Sequence, residues 1–333
     1  MAERDPLDLL VVGAGPTGIA IGAAAQDHGL SALLVDRGPL AANLLDFPTY
    51  MTFFTTRDLL EIAGVPFSVP HDKPSRREAL AYYRSVAAVR DLRVAQHEEV
   101  LAARPAGEGF EVVSRRATGE RRRRARAVAL ATGYFHRPRR LGVPGEDLPW
   151  VHSRYREPYR HFGETVAVIG GGNSAAEAAL DLWRNGVAVR LVHRRGEVKA
   201  TVKYWVKPDL ENRIAEGAIE ARFGTRVTAF GDRGIELEGP SGEEVLAVDA
   251  AYVLVGYEPD VELERACGVE VDPVTLVPTF DPETCESNVP GLYVAGTLQS
   301  GSDLGKIFIE NSREHAPRIA GHLAARLAAP EAR

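Results

Sequence analysis

The sequence predicts an α/β protein in two domains, the second inserted into the first. Three observations predict it: a strand, glycine loop, helix and strand at the N-terminus; a second copy of that pattern beyond a proline-rich break; and a C-terminal strand and helix with no counterpart in the second copy.

Leu9 to Val12 is a short apolar run bounded by glycines, the pattern of a strand buried on both faces. The spacing predicts a helix from Ile19 to Gly29, where a glycine suits the C-terminal cap, and a second strand from Ala32 to Val35. Helical segments follow within Tyr50 to Ala63 and Ser75 to Val89. Ser75, with Glu78 three positions on, forms a capping-box signature. The basic run Arg121 to Arg126 reads as the solvated edge of a hairpin, where charge blunts an exposed strand. Val128 to Ala131 is another buried strand, closing on Thr132-Gly133. Pro138, Pro144, Gly145 and Pro149 then mark a linker. After it the opening pattern recurs, with strand Val166 to Ile169, loop Gly170 to Gly172, helix Ala175 to Arg184 and strand Val187 to Val192. Tyr252 to Val255 supplies a further strand of this copy. Gly291 to Gly296 and a helix running to about Leu327 return to complete the first domain. The expected division is 1–145 and 263–333 for the first domain and 146–262 for the second.

The first loop reads Gly13-Ala14-Gly15-Pro16-Thr17-Gly18. One glycine permits the tight turn, another lets the backbone approach a pyrophosphate, and the third lets helix and strand pack closely. The helix N-terminus then offers free N–H groups to the phosphates. Alone the motif is weak. Here it follows a strand, opens a helix and is followed at the next strand end by Asp36-Arg37, where Asp36 can accept both ribose hydroxyls. This makes both domains Rossmann-like, because the second loop, Gly170-Gly171-Gly172-Asn173-Ser174-Ala175, repeats the physics with alanine in the third place. At its strand end stand His193, Arg194 and Arg195, with no acid. Cations suit a ribose 2′-phosphate and a carboxylate repels it, so this loop is assigned to NADPH. Two dinucleotide sites in one chain imply electron transfer between two dinucleotides, which leaves FAD for the first loop.

Three further segments support that pairing. Ala131-Thr132-Gly133 resembles the turn that passes the FAD in flavoproteins with two dinucleotide sites. Val255 to Asp260 resembles the equivalent turn in the NADPH domain. Gly291 to Thr297 resembles the C-terminal flavin motif, with Gly296 and Thr297 at the cofactor and Thr297 where many such enzymes carry Asp. Phe53 and Phe54 suit either a flavin pocket or the core. Tyr204 and Trp205 suit a lid over the nicotinamide, with Lys203 and Lys207 near phosphate, and His152 reads as structural.

The segments Met51-Thr52-Phe53-Phe54-Thr55-Thr56, Glu78 to Arg84, Lys203 to Pro208, Gly256 to Asp260 and Ile307 to Asn311 occur in order around both loops. In this the chain resembles the thioredoxin reductase-like flavoproteins, and among them the bacillithiol-disulfide reductase-like (YpdA-type) group. The resemblance implies FAD, NADPH and hydride chemistry ending on a small disulfide or a small redox protein, in a homo-oligomer. Two positions depart from the pattern. The C-x-x-C of thioredoxin reductases is absent, and Thr17 stands where the bacillithiol group commonly carries a cysteine in the first loop. A hydroxyl forms no mixed disulfide.

Composition bounds the alternatives. A chain of 333 residues exceeds one ordinary core, and a net charge of −6 gives no general attraction to nucleic acid. Glu3, Asp5 and Asp8 replace the basic start of a signal peptide, and no run is long enough to span a bilayer, so the expected compartment is the cytoplasm. Cys267 and Cys285 have no metal or disulfide spacing and are expected as bystanders; no metal site is expected. The expected function is an NADPH-dependent flavoprotein reductase, possible acceptors being bacillithiol disulfide or another low-molecular-weight disulfide. Alternatives are an NADPH–ferredoxin or flavodoxin reductase, an NADPH oxidase or monooxygenase and, in another class, a flavin-bound redox sensor. No catalytic side chain is assigned, since hydride transfer needs none.

Overall fold

The computed structural model describes residues 6–232 and 234–329; Glu3 and Asp5 lie outside them. The chain forms two compact units. One comprises 1–45, 52–136 and 259–333, and the other 46–51 and 137–258. Each contains a parallel sheet with a glycine loop at a strand end, so the α/β fold of two Rossmann-like units, the second inserted into the first, is what the chain adopts.

In the first unit the strands lie in the order Val94–Ala95, Ala32–Val35, Leu7–Val12, Gly119–Leu130, Gly109–Arg116 and Glu99–Ala106. Leu292–Val294 joins on the Gly119–Leu130 strand. That strand serves two partners. Its basic half, Gly119 to Ala125, runs antiparallel to Gly109–Arg116, and its apolar half, Ala125 to Leu130, runs parallel to Leu7–Val12. The C-terminal strand Leu292–Val294 pairs in parallel with Val128–Leu130, so the end of the chain completes the first sheet. Leu10, Val12, Val128, Leu130, Leu292 and Val294 form the buried core on one face.

The basic run is thus one arm of a hairpin, with Arg121, Arg122 and Arg124 exposed, and it continues without a break into the buried half of the same strand. Alternation along the strand sends residues to opposite faces, and Arg123 turns inward with its side chain only 19% exposed. The first helix, Pro16–Asp27, begins earlier than its periodicity predicts, because Pro16 suits the first helical position. Helix Arg76–Val89 carries the capping box: Ser75 Oγ accepts from the Glu78 N–H at 3.3 Å, and Glu78 Oε2 accepts from the Ser75 N–H at 2.7 Å. The helix within Tyr50 to Ala63 is a single turn, Arg57–Leu60.

In the second unit five parallel strands lie in the order Glu220–Phe223, Ala188–His193, Thr165–Ile169, Ala250–Val253 and Val151–His152, with a three-stranded antiparallel sheet from Arg226–Gly231 to Gly242–Leu246. Helix Asn173–Arg184 packs Ala175, Ala176, Ala179 and Leu182 on Val166, Val168, Val189 and Leu191. His152 lies over Tyr252, ring centroids 5.2 Å apart, and burial holds its pKa down, in keeping with a packing role. Among the described residues no helix is long and apolar enough to cross a membrane.

Candidate functional site

The two glycine loops repeat one contact. Gly13 adopts φ +108, and a Cβ there would lie 2.4 Å from the Ala131 carbonyl oxygen. Gly170 adopts φ +151, and a Cβ there would lie 2.4 Å from the Leu254 carbonyl oxygen. In each unit the loop thus presses on the turn after the neighbouring parallel strand, and only a residue without a side chain fits.

Around the first loop, Gly18 packs the helix onto the Gly13 carbonyl, whereas a Cβ on Gly15 would meet nothing within 4 Å. Gly15 caps helix Pro16–Asp27 without a side-chain hydrogen bond, so first-turn N–H groups face an open approach. Asp36 Oδ2 accepts the Ala14 N–H at 2.7 Å and Oδ1 accepts the Gly38 N–H at 2.8 Å. Burial pushes the Asp36 carboxyl up, opposed by these two bonds and by Arg37, which is exposed beside it. Each Asp36 oxygen retains acceptor capacity beyond its backbone bond.

The same loop meets the C-terminal segment. Thr17 Oγ1 is 3.1 Å from the buried Ser312 Oγ, and a Cβ on Gly296 would lie 3.0 Å from Thr17 Oγ1. The Gly296 N–H donates to His315 Nδ1 at 3.0 Å. Burial lowers the His315 pKa to about 4, so the ring is neutral and Nε2 carries its proton. Gly133 adopts φ +65, with Asn43 Nδ2 and Thr297 Oγ1 3.3 and 3.4 Å from its would-be Cβ; Asn43 Nδ2 also donates to the Thr132 carbonyl at 3.3 Å. Thr55 Oγ1 donates to Glu310 Oε2, joining the Met51–Thr56 and Ile307–Asn311 motifs. Phe53 is buried, and Phe54 is exposed with the Lys73 ammonium 5.2 Å from its ring centroid.

At the second loop, Gly172 caps helix Asn173–Arg184, again without a side-chain hydrogen bond. Ala175 is buried against Gly170 and Ser174 is exposed. The His193 ring fills the space a Gly171 side chain would need, 2.3 Å from the would-be Cβ. His193 is 6% exposed, and its Nε2 is buried with no hydrogen-bond partner. Burial, with Arg195, Arg194 and Lys199 nearby, holds its pKa down. Arg194 and Arg195 are exposed. The Lys199–Lys203 segment is laced to this loop. The Lys199 N–H donates to the Gly171 carbonyl at 2.8 Å, the Lys203 N–H to Asn173 Oδ1 at 2.8 Å, and Asn173 Nδ2 to the Thr201 carbonyl at 3.4 Å. Lys203 Nζ binds Glu177 Oε1 at 2.6 Å, so its charge is already matched.

A family model described as pyridine nucleotide-disulphide oxidoreductase matches residues 10–296, which include both loops. The chain belongs to that family. It is an oxidoreductase, and membership implies use of a flavin and a pyridine nucleotide. Bacilliredoxin reductase Bdr of Bacillus subtilis is 34% identical over 320 residues, covering 95% of this chain and 97% of the relative. Bacillithiol disulfide reductase Bdr (YpdA) from Bacillus cereus superposes with a TM-score of 0.93 at 32% identity, covering 97% of this chain and 100% of that one. A ferredoxin–NADP reductase of Ignicoccus hospitalis is 26% identical over 307 residues, 87% of this chain and 90% of the relative.

The residues fit such cofactors. Each loop offers a helix N-terminus free of side-chain caps, and at the second the orphaned His193 Nε2 lies against the loop itself. Neither cysteine is poised for redox chemistry. Cys267 is buried with Sγ accepting the Ala103 N–H at 3.2 Å and its thiol pushed up to about 11; burial also raises Cys285. Among the described residues no cluster of His, Cys, Asp or Glu could hold a metal ion.

Asn43, Ser312 and His315 join this constellation without any signal in the sequence, since isolated polar residues on three separate helices carry no spacing that marks them.

Proposed function

We propose that the chain binds FAD at the first glycine loop and NADPH at the second, and reduces a low-molecular-weight disulfide of the bacillithiol-disulfide kind. The overall reaction is NADPH + H⁺ + RSSR giving NADP⁺ + 2 RSH. The observation that carries the cofactor assignment is the contrast between strand ends: a carboxylate, Asp36, beside the first loop, and the cations Arg194 and Arg195 beside the second. When bound, the flavin and nicotinamide supply the hydride chemistry, and the protein supplies binding and orientation.

In this reading Asp36 takes the ribose hydroxyls of FAD with Arg37 beside it. Gly13, Gly15, Pro16, Thr17 and Gly18 form its pyrophosphate turn, with the N–H groups of Thr17 and Gly18 in the first helical turn facing the phosphates. Thr132, Gly133, Gly296 and Thr297, with Phe53 packed behind, border its flavin half. Gly170, Gly172, Asn173, Ser174 and Ala175 form the pyrophosphate turn of NADPH, and Arg194 and Arg195 pair with its 2′-phosphate. His193, its ring packed behind Gly171 at the same strand end, completes the NADPH residues by shaping the loop. The acceptor is assigned from the Bacillus cereus relative, whose name gives bacillithiol disulfide as the substrate of that protein. The protein is read as a cytoplasmic homo-oligomer.

Thr17 favours a second reading. With a hydroxyl at this position no mixed disulfide forms in the loop, and electrons leave to a small redox protein, as in a ferredoxin–NADP reductase such as the Ignicoccus relative.

The test is anaerobic mixing of the purified yellow protein with NADPH. Rapid bleaching is expected, and none would sink the enzyme reading in favour of a sensor. An acceptor panel of bacillithiol disulfide, reduced-thiol controls, ferredoxin and oxygen then decides. Turnover with ferredoxin and none with any disulfide overturns the acceptor assignment.

A further inference from the structure

The basic run in the Gly119–Leu130 strand has one member whose charge is spent inside the protein. Arg123 reaches Glu98, whose side chain is fully buried. Arg123 donates to both carboxylate oxygens, to Oε2 at 3.0 Å, and Arg116 Nε adds a bond to Oε2 at 2.8 Å. Ser114 Oγ donates to Oε1 at 2.5 Å. The carboxylate is thus fully satisfied; burial alone would raise its pKa, but Arg123, Ser114 and Arg116 together outweigh burial and lower it.

Glu98 also faces the first loop through its backbone. The strand pairing Leu34↔Val94 and Val35↔Ala95 continues past the strand ends. The Asp36 N–H donates to the Ala95 carbonyl at 3.0 Å, the Glu98 N–H to the Asp36 carbonyl at 2.8 Å, and the His97 N–H to the Gly38 carbonyl at 3.1 Å. Gln96 Oε1 accepts the Leu40 N–H at 2.8 Å, and Arg116 donates to the Gln96 carbonyl at 3.3 Å. His97 sits in the left-handed region at φ +56 and acts electrostatically on Asp36. Residues 95–98 are therefore held on one side to the segment that carries Asp36 and on the other, through Glu98, to the antiparallel strands.

We propose that Glu98 is a positioning residue for the adenosine end of the flavin nucleotide, acting through Asp36. A carboxylate clamped by two guanidinium groups and a hydroxyl has one orientation. It fixes the backbone of residues 95–98, which in turn fixes the Asp36 main chain and the direction of its carboxylate. The inference rests on the proposed placement of FAD at the first loop.

The experiment is a double-mutant cycle on FAD binding to apoprotein, followed by flavin fluorescence, with Asp36→Asn and Glu98→Gln, and with apoprotein melting recorded for each variant. Asp36→Asn is expected to weaken FAD at least tenfold. If it does not, the FAD placement fails, and this inference with it. Glu98→Gln is expected to weaken FAD at least tenfold in the Asp36 protein and less than threefold in the Asp36→Asn protein. Equal losses in both backgrounds, tracking the fall in melting temperature, would make the role of Glu98 merely structural and overturn the proposal while leaving the FAD placement intact. If Glu98→Gln does not fold, Arg116→Gln, which removes one half-exposed partner and the bond to the Gln96 carbonyl, replaces it with the same expectations.

Discussion

Thr17 Oγ1 lies 3.1 Å from Ser312 Oγ, two hydroxyls 295 positions apart in the chain that join the first glycine loop to the C-terminal segment. The position where the bacillithiol group commonly carries a thiol is here a structural tie. Ser312 Oγ also faces the Ile309 carbonyl at 3.3 Å, so it can donate there while accepting from Thr17. Thr17→Val and Ser312→Ala are each expected to destabilise the first unit by about 1 kcal/mol, and together by little more than either alone. Denaturant unfolding of the three variants checks this; additive losses would show that the hydroxyls are not coupled.

Coenzyme preference should reside in the exposed pair Arg194 and Arg195. Replacing both by Gln removes the cations that favour a 2′-phosphate and leaves the glycine loop untouched. The ratio of kcat/KM for NADPH to that for NADH is expected to fall at least tenfold. An unchanged ratio would defeat the assignment of this strand end.

Gly13→Ala and Gly170→Ala make the same collision, each placing a methyl 2.4 Å from a carbonyl oxygen. Their consequences should differ because the loops lie in different units. Gly13→Ala is expected to yield protein without the flavin absorbance. Gly170→Ala should retain flavin but require at least tenfold more NADPH for half-maximal bleaching. Loss of flavin from Gly170→Ala instead would reverse the assignment of the two loops.

The first unit contains two buried titratable groups whose effects on stability oppose each other. Burial pushes Glu264 up to about 7, reinforced by Asp260 and opposed by Arg265, and one of its carboxyl oxygens has no partner. Burial beside Arg318 pushes His315 down to about 4. Between about pH 4.5 and 7 folded Glu264 keeps a proton that the unfolded chain releases, so its contribution falls as pH rises. Between about 4 and 6.5 folded His315 lacks a proton that the unfolded chain holds, so its contribution rises with pH. Each amounts to about 3 kcal/mol across its window, and they offset one another. Glu264→Gln should therefore leave a stability that climbs with pH through this range, and His315→Gln one that declines. Urea unfolding of apoprotein at pH 4.5, 5.5 and 6.5 distinguishes the two; equal slopes in both variants would refute the shifts.

Local chemistry was enough to read the two glycine loops, the repeat that organises the chain, the capping box at Ser75 and the acid-versus-arginine contrast at Asp36 and Arg194-Arg195. Each depends on residues a few positions apart on one strand, turn or helix, where backbone geometry and periodicity act directly. Only the tertiary structure decided that Gly13 presses on Ala131 and Gly170 on Leu254, that Asn43, Ser312 and His315 gather at Gly133, Thr17 and Gly296, and that Arg123 of a run that looks solvated turns inward to Glu98. Those partners are brought together by parallel and antiparallel strand pairing and by the return of the C-terminal strand to the first sheet. A side chain's burial and its hydrogen-bond partners depend on which distant strand lies beside it, which no local pattern records.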